Sequence, residues 1–355
     1  MKRSLRSAGL LLFAAAAAAA IATVLVVHLL MPHAASAPAL VSSLFVPDER
    51  ALGFAAAGML INRANLDAMF RGFKLTFQNA FAGAPSDYAQ IAMQVPSTTS
   101  QEVYPWLGQS TSFREWIGDR VVQNLGTHDF TIKNKEWENT IGIPRRTIED
   151  DTYGLYTPAV SQLGQDAKQH PDILTWGLLK NGFNRACYDG QYFFDTDHPV
   201  MAPGSGTASV SNFQGGSGTP WFLLDTTRVI KPIIYQVRKP YNFVARDKED
   251  DDNVFNRKEY VYGVDARSNV GFGLWQLAYA SREALDGQAF NDAYAAMQST
   301  KGDNGNPLGI RPKLLVVPPS MRAQALEVVK AERNAAGATN INRDVVDVLV
   351  TPWLA

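Results

Sequence analysis

Cysteine is almost missing from this chain: Cys187 is the only one in 355 residues. No intramolecular disulfide can brace the fold, which must rest on buried apolar surface and hydrogen bonds. The expected role of Cys187 is a half-buried small residue beside Tyr188, not a reactive thiol. A surplus of either charge is missing too. The 33 Lys and Arg against 34 Asp and Glu leave a net charge of −1, unlike the basic profile of a protein that grips nucleic acid. Only five histidines occur, with neither H-E-x-x-H nor a paired-histidine spacing among them. There is no G-x-x-x-x-G-K-[ST] phosphate loop, and Gly215-Gly216-Ser217-Gly218 misses the G-x-S-x-G spacing by one residue. The acidic run Asp247 to Asp252 lacks the alternating ligands, central glycine and closing glutamate of a calcium loop.

What remains is a chain 46% hydrophobic and 19% charged, long enough for a large core or several subdomains. Its first 58 residues differ from the rest. Lys2, Arg3 and Arg6 precede an uncharged run from Ser7 to Val27, long enough to span a bilayer, and Ala35-Ser36-Ala37 imitates a signal-peptide end. Pro38 disfavours cleavage there, so an uncleaved anchor is the better membrane reading. The alternative expectation is that translation starts at Met59.

From Met59, Leu66, Met69, Phe70, Phe73 and Phe77 recur at helical spacing, giving either a core helix or an arm docking on a neighbour. Phe113 to Ile117 can form one helical turn. Residues 128–143 read as a hairpin: Phe130 and Ile132 on one strand, a Lys133-Asn134-Lys135 turn, and Trp137 to Ile143 returning. An isolated two-stranded ribbon is marginal in water, so this one demands a partner surface. A long helix then begins with Thr157 as N-cap and Pro158 first in the helix; Val160, Leu163 and Ala167 share its apolar stripe. Pro171 should kink or restart it, and Asn181-Gly182 close it.

The tract APGSGTASVSNFQGGSGTP after Val200 reads as a mobile surface loop. WFLLDT and VIKPIIYQV follow as strands, Pro232 marking an edge or bulge. KEYVYGVDAR and VGFGLWQLAYAS read as two more strands, with Gly271 and Gly273 allowing close approach or a bend. The last third reads helix, strand, helix, strand: Phe290, Tyr294 and Met297 stripe one helix, Lys313 to Val317 is a buried strand, Ser320 caps the next helix, and Asp344 to Val350 closes the chain.

Two constellations carry possible chemistry. Asp195, Asp197 and His198 offer oxygen and imidazole ligands to a metal, or form a turn whose side chains bond the backbone. Arg145 and Arg146 beside Glu149, Asp150 and Asp151 make either an intersubunit salt-bridge node, the favoured reading, or a solvated junction.

The segment NKEWENTIGIPRRTIEDDTYGLYTPAVSQLGQDAKQHPDILTWGLLKNGFNRACYDGQYFFDTDHPV, with SQLGQDA and LLKNGF inside it and KEYVYGV and GFGLWQLA beyond, resembles the major head subunit of Mu-like bacteriophages and prophages, the gpT family. The resemblance runs from Met59 nearly to Ala355, carried by many segments in order. It implies an α+β subunit of the tailed-phage major capsid (Hong Kong 97 type) fold that self-assembles into hexamers and pentamers of an icosahedral head, with no cofactor and no catalysis. By it, residues 59–103 are an N-terminal arm and 104–145 an extended loop crossing the adjacent subunit. Residues 146–280 are a peripheral domain with a spine helix, 281–355 an axial domain, and 1–58 an extension. Subunit contacts then fall to Lys133, Lys135, Trp137, Arg145, Arg146, Glu149, Asp150 and Asp151. Some relatives of the fold weld lysine to asparagine, but nothing here identifies an acceptor, so no cross-link is expected at Lys133 or Lys135. Expected partners are other copies, scaffolding, portal and decoration proteins, and enclosed double-stranded DNA held without sequence-specific contacts. The location would be the virion, assembled in the host cytoplasm. The competing reading is a membrane-anchored or exported binding protein with a capsid-derived domain.

Overall fold

In the computed structural model of the chain, the described residues are 62–105, 107, 130–149, 153–202, 206–334 and 336–355. They belong to one unit, Gly58–Ala355. The expectations for 1–58, for a turn at 113–117 and for Asp150 and Asp151 lie outside the described residues, as does the Glu149 side chain.

The first helix, α1 (Arg63–Gly83), is capped by Asn62, whose side chain accepts the Asn65 N–H, and it buries Leu66, Met69, Phe73 and Phe77. It is therefore a core helix of its own chain. A short turn α2 (Tyr88–Ile91) leads into β1 (Ala92–Pro96), β2 (Gln101–Val103), β3 (Thr131–Lys133) and β4 (Lys135–Pro144). After α3 (Arg145–Glu149) comes the long helix α4 (Thr157–Lys180). At 24 residues it spans about 36 Å. Tyr156 and not Thr157 takes the N-cap position, Pro158 fits the first turn, and the helix runs unbroken through Pro171 to its C-cap at Asn181.

Beyond it lie β5 (His198–Met201), β6 (Thr207–Val210), β7 (Phe213–Gly216) and β8 (Trp221–Leu224). The 14-residue strands β9 (Ile233–Arg246) and β10 (Glu259–Phe272) flank α5 (Asp252–Arg257). The chain ends with β11 (Ala278–Arg282), α6 (Gly287–Gln298), β12 (Leu314–Val317), α7 (Arg322–Val329) and β13 (Asp347–Val350).

Two larger sheets hold nine of these strands, and β2–β3 and β5–β6 form separate two-stranded ladders. The first has the order β1-β9-β10-β4, and the second β13-β12-β8-β11-β7. The second is buried on both faces: Phe222, Leu224, Leu314 and Val316 enter one core, and Trp221, Leu223, Leu315 and Val317 enter another beside α6 and α7. That two-sided burial explains why WFLL and LLVV show no polar alternation.

Five sequence expectations need correction. The 128–143 hairpin does not form. β3 pairs with β2, while β4 pairs with β10 along its whole length. Asn134, expected in the turn, is instead buried; it donates to Ser97 Oγ at 2.8 Å and Thr99 O at 2.9 Å and accepts from Gln236 at 2.8 Å. Removing 128–142 would thus excise an edge strand of the first sheet, not an independent loop. The tract after Val200 is not wholly a loop either, since it supplies β6 and β7 and the buried Asn212. The break between the two late strands falls at Gly273, where a Cβ would meet the Lys231 carbonyl at 2.5 Å, and a bulged β10 runs through the expected gap. The 280/281 boundary cuts through β11, whose sheet takes strands from both sides of it. Near the end, Met321 and not Ser320 stands at the N-cap of α7, which buries Ala325, Val328 and Val329.

α4 ties the pieces together. Val160, Leu163 and Ala167 pack with α1 and the first sheet. Trp176, Leu178 and Leu179 pack into the core shared with the second sheet. Buried Asp172 accepts from Ser86 Oγ, from the Asp87 and Tyr88 amides at 2.9 and 2.7 Å, and from Trp176 Nε1 at 3.2 Å.

α1 approaches α4 closely at Gly164, where a Cβ would lie 2.6 Å from the Phe77 carbonyl; at Gly177, in the same helix, a Cβ meets nothing within 4 Å. Gly177→Ala is expected to stabilise the fold by about 0.5–1 kcal/mol through helix propensity. Gly164→Ala is expected to destabilise it, because overpacking costs about 1–3 kcal/mol against that same gain. Chemical denaturation of the two variants checks the contrast; equal stabilisation would contradict the close approach.

Candidate assembly surface

Lys133 and Lys135 are exposed on either side of the buried Asn134. The Lys133 carbonyl accepts from Asn269 Nδ2 at 2.7 Å, and Lys135 stands opposite Ser268 in the ladder. Arg146 is exposed and Arg145 half-buried in α3, where the Arg145 amide donates to the Lys258 carbonyl at 2.8 Å. Lys135 thus begins the edge strand β4 of the first sheet, Arg145 and Arg146 follow its far end, and Lys133 closes β3 of the neighbouring two-stranded ladder.

Trp137 is engaged within the chain. Its indole N–H donates to the Ser268 carbonyl at 3.0 Å, and its ring meets His170 of α4 edge-on at 4.6 Å. His170 Nδ1 in turn lies 2.6 Å from the Tyr241 hydroxyl of β9. Burial holds the imidazole below its ordinary value and pushes the phenol up, so a neutral ring and a neutral hydroxyl share this hydrogen bond. This Trp137–His170–Tyr241 stack clamps α4 onto the sheet within one chain.

The sequence trio Asp195, Asp197 and His198 is not gathered as a ligand set. Asp195 bonds the Tyr192 and Thr196 amides, as a turn residue does. His198 turns inward, its Nδ1 2.7 Å from Asp189 Oδ2 and its Nε2 3.2 Å from Asn212 Oδ1. The Cys187 thiol donates to Asp189 Oδ1 at 2.9 Å. Burial and the neighbouring Asp189 charge push that thiol far up, so it is a poor nucleophile. Sequence reasoning missed Asp189, Asn212 and Trp275 because they come from three segments, one of them in the low-complexity tract.

The profile of the family described as Mu-like prophage major head subunit gpT matches residues 66–354. The chain belongs to that family. It is 43% identical over 284 residues to the Mu-like prophage FluMu major head subunit of Haemophilus influenzae, covering 78% of this chain and 92% of that protein. It is 38% identical over 293 residues to the major capsid protein of Escherichia phage Mu, covering 81% and 96%. The subunit in the procapsid of bacteriophage JBD30 superposes with a TM-score of 0.75 at 47% identity, covering 82% of this chain and all of that one. The JBD30 capsid subunit gives 0.67 at 37% identity, with 84% and full coverage. This gpT-family chain is thus a major capsid protein of a Mu-like phage head, an α+β subunit that associates with its own copies in the shell. Among the described residues no helix is long and apolar enough to cross a membrane.

The His170 clamp has a pH signature. Because burial lowers the folded value, the unfolded chain takes the proton first as pH falls below about 6.5. Stability should therefore decline on acidification from that point. His170→Gln is expected to remove this acid-side component, read as thermal midpoints between pH 8 and 5.5. An unchanged difference between midpoints would contradict the neutral buried ring.

Proposed function

We propose that this subunit forms hexamers and pentamers that close into an icosahedral head around double-stranded DNA, and that it does so without turnover. The observation that carries the reading is the match to the JBD30 procapsid subunit over that chain's full length. Head-to-tail contacts around a closing rotation generate such rings.

The basic row of Lys133, Lys135, Arg145 and Arg146 is assigned to the contact with a neighbouring copy, with the Glu149–Asp151 segment as its acidic complement. Trp137 leaves that set because its ring is committed within the chain. The second sheet with α6 and α7 is assigned to the axial position. The JBD30 capsid is known in a form decorated with minor capsid protein trimers, and we assign a decoration partner here by analogy. Scaffolding and portal proteins complete the proposed partners. DNA would be enclosed and not read, in keeping with the net charge of −1.

Negative-stain electron microscopy of the purified protein tests the central reading: closed shells are expected, and monomers at every concentration would contradict it. Arg146→Glu is expected to reduce shell yield severalfold while changing subunit stability by no more than about 0.5 kcal/mol. Full shell yield would remove Arg146 from the interface.

A further inference from the structure

The cluster around His198 is a buried polar constellation that the proposed subunit contacts do not use. His198 is fully buried at the start of β5, and its ring lies flat on Trp275, centroids 4.0 Å apart and planes within 9°. Both ring nitrogens face a fixed partner. Asn212 cannot be turned around: its amide nitrogen donates to the carbonyls of Phe193 at 2.8 Å and of Trp275 and Ala278 at 3.3 Å. Its oxygen accepts the Asp195 amide at 2.9 Å. Reversal would press oxygen against three oxygens. Asn212 therefore offers His198 an acceptor at Nε2.

Asp189 offers a second acceptor at Nδ1, its other oxygen already receiving Cys187 and, at 3.1 Å, the Gln191 amide. Burial raises this carboxyl, but hydrogen bonds from His198 and Cys187 outweigh it and the group ends below its ordinary value. A neutral imidazole has one N–H and can serve only one acceptor. Its other nitrogen would aim a lone pair at an oxygen in a closed core, where an unmade bond is costly.

We propose that His198 is held as an imidazolium donating from both ring nitrogens, and that this buried proton locks the joint where the chain crosses between the two sheets. Trp275 lies in the turn between β10 of the first sheet and β11 of the second. Asn212 immediately precedes β7 of the second sheet, and the Cys187–His198 segment follows the end of α4. One ring thus touches three segments that must move together.

Of the titratable groups on its own segment, Asp189 touches the ring, Cys187 is bonded to Asp189, and Asp197 interacts with the ring by charge, while Tyr188 and Asp195 are bonded elsewhere. Asp303, on the turn opposite β5, receives the Met201 amide. The Tyr188 phenol, bonded to Gln276, is pushed up by burial, as is the thiol, so both stay neutral. The ionised groups beside the ring are carboxylates, with Asp189 in direct contact.

A metal is the competing occupant, since Cys187, Asp189 and His198 present donor atoms within 4.8 Å of one another. Ligands sharing a tetrahedral zinc at about 2.0–2.3 Å stand roughly 3.3–3.8 Å apart. The separations here, 2.7 and 2.9 Å, are those of hydrogen bonds.

Solid-state 15N spectroscopy of the full chain, ring-labelled at its five histidines, tests this. At pH 8 ordinary histidines, titrating near about 6.5, are neutral. One of the five is expected to keep two protonated ring nitrogens, and His198→Gln should abolish that signal. Should the variant not fold, the wild-type spectrum still decides. Absence of any imidazolium signal overturns the proposal, and so does conversion of the signal to a metal-bound nitrogen on adding zinc. Raising the pH until the signal disappears should speed amide exchange at 187–198 and 273–278 at least tenfold more than in α6, after correction for base catalysis. Unchanged protection there would overturn the lock.

Discussion

The packing of α4 against two cores at once is the constraint on which the rest of this subunit depends. Val160, Leu163 and Ala167 belong to the core beneath α1 and the first sheet, and Trp176 and Leu179 to the core beneath the second. Neither sheet needs a flexible tether to the other, because one rigid rod reaches both. Asp172 reinforces the rod near its middle by collecting four donors from α4 itself and the 86–88 turn. A carboxylate so surrounded makes the helix and the entry to β1 a single piece.

A shell protein must present the same surfaces in every copy, so internal rigidity is a condition of assembly and not an ornament. The clamp of Trp137, His170 and Tyr241 supplies it on the first sheet, and the two-sided burial of β8 and β12 supplies it on the second. The near-zero net charge contributes at the next level. Identical subunits packed in large numbers would accumulate repulsion if each carried a large charge of one sign. On the proposed interface, local complementarity at Lys135 and Arg146 would set register without a long-range penalty.

Much of this was legible in the sequence because it is periodic. The stripes of α1 and α4, the runs WFLL and LLVV, and the late helix–strand order are local patterns with direct physical causes. What failed was pairing. Lys133-Asn134-Lys135 has turn composition, but three hydrogen bonds to Ser97, Thr99 and Gln236 bury Asn134 and send the flanking strands to different sheets. Composition also misled at residues 202–220, where glycine and serine flank an asparagine that bonds three carbonyls. Pro171 did not restart α4, because the contacts on both sides of it hold the helix together. The family, by contrast, was legible from segments in order, and the structural match agrees with it.

Native-state amide exchange along α4 tests the central claim most directly. If the helix joins the two cores, amides around Leu163 and around Leu179 should open with the same free energy and the same denaturant dependence, as one cooperative unit. Exchange at the two ends through separate openings, with the half beneath α1 released while the Trp176 half stays protected, would contradict it.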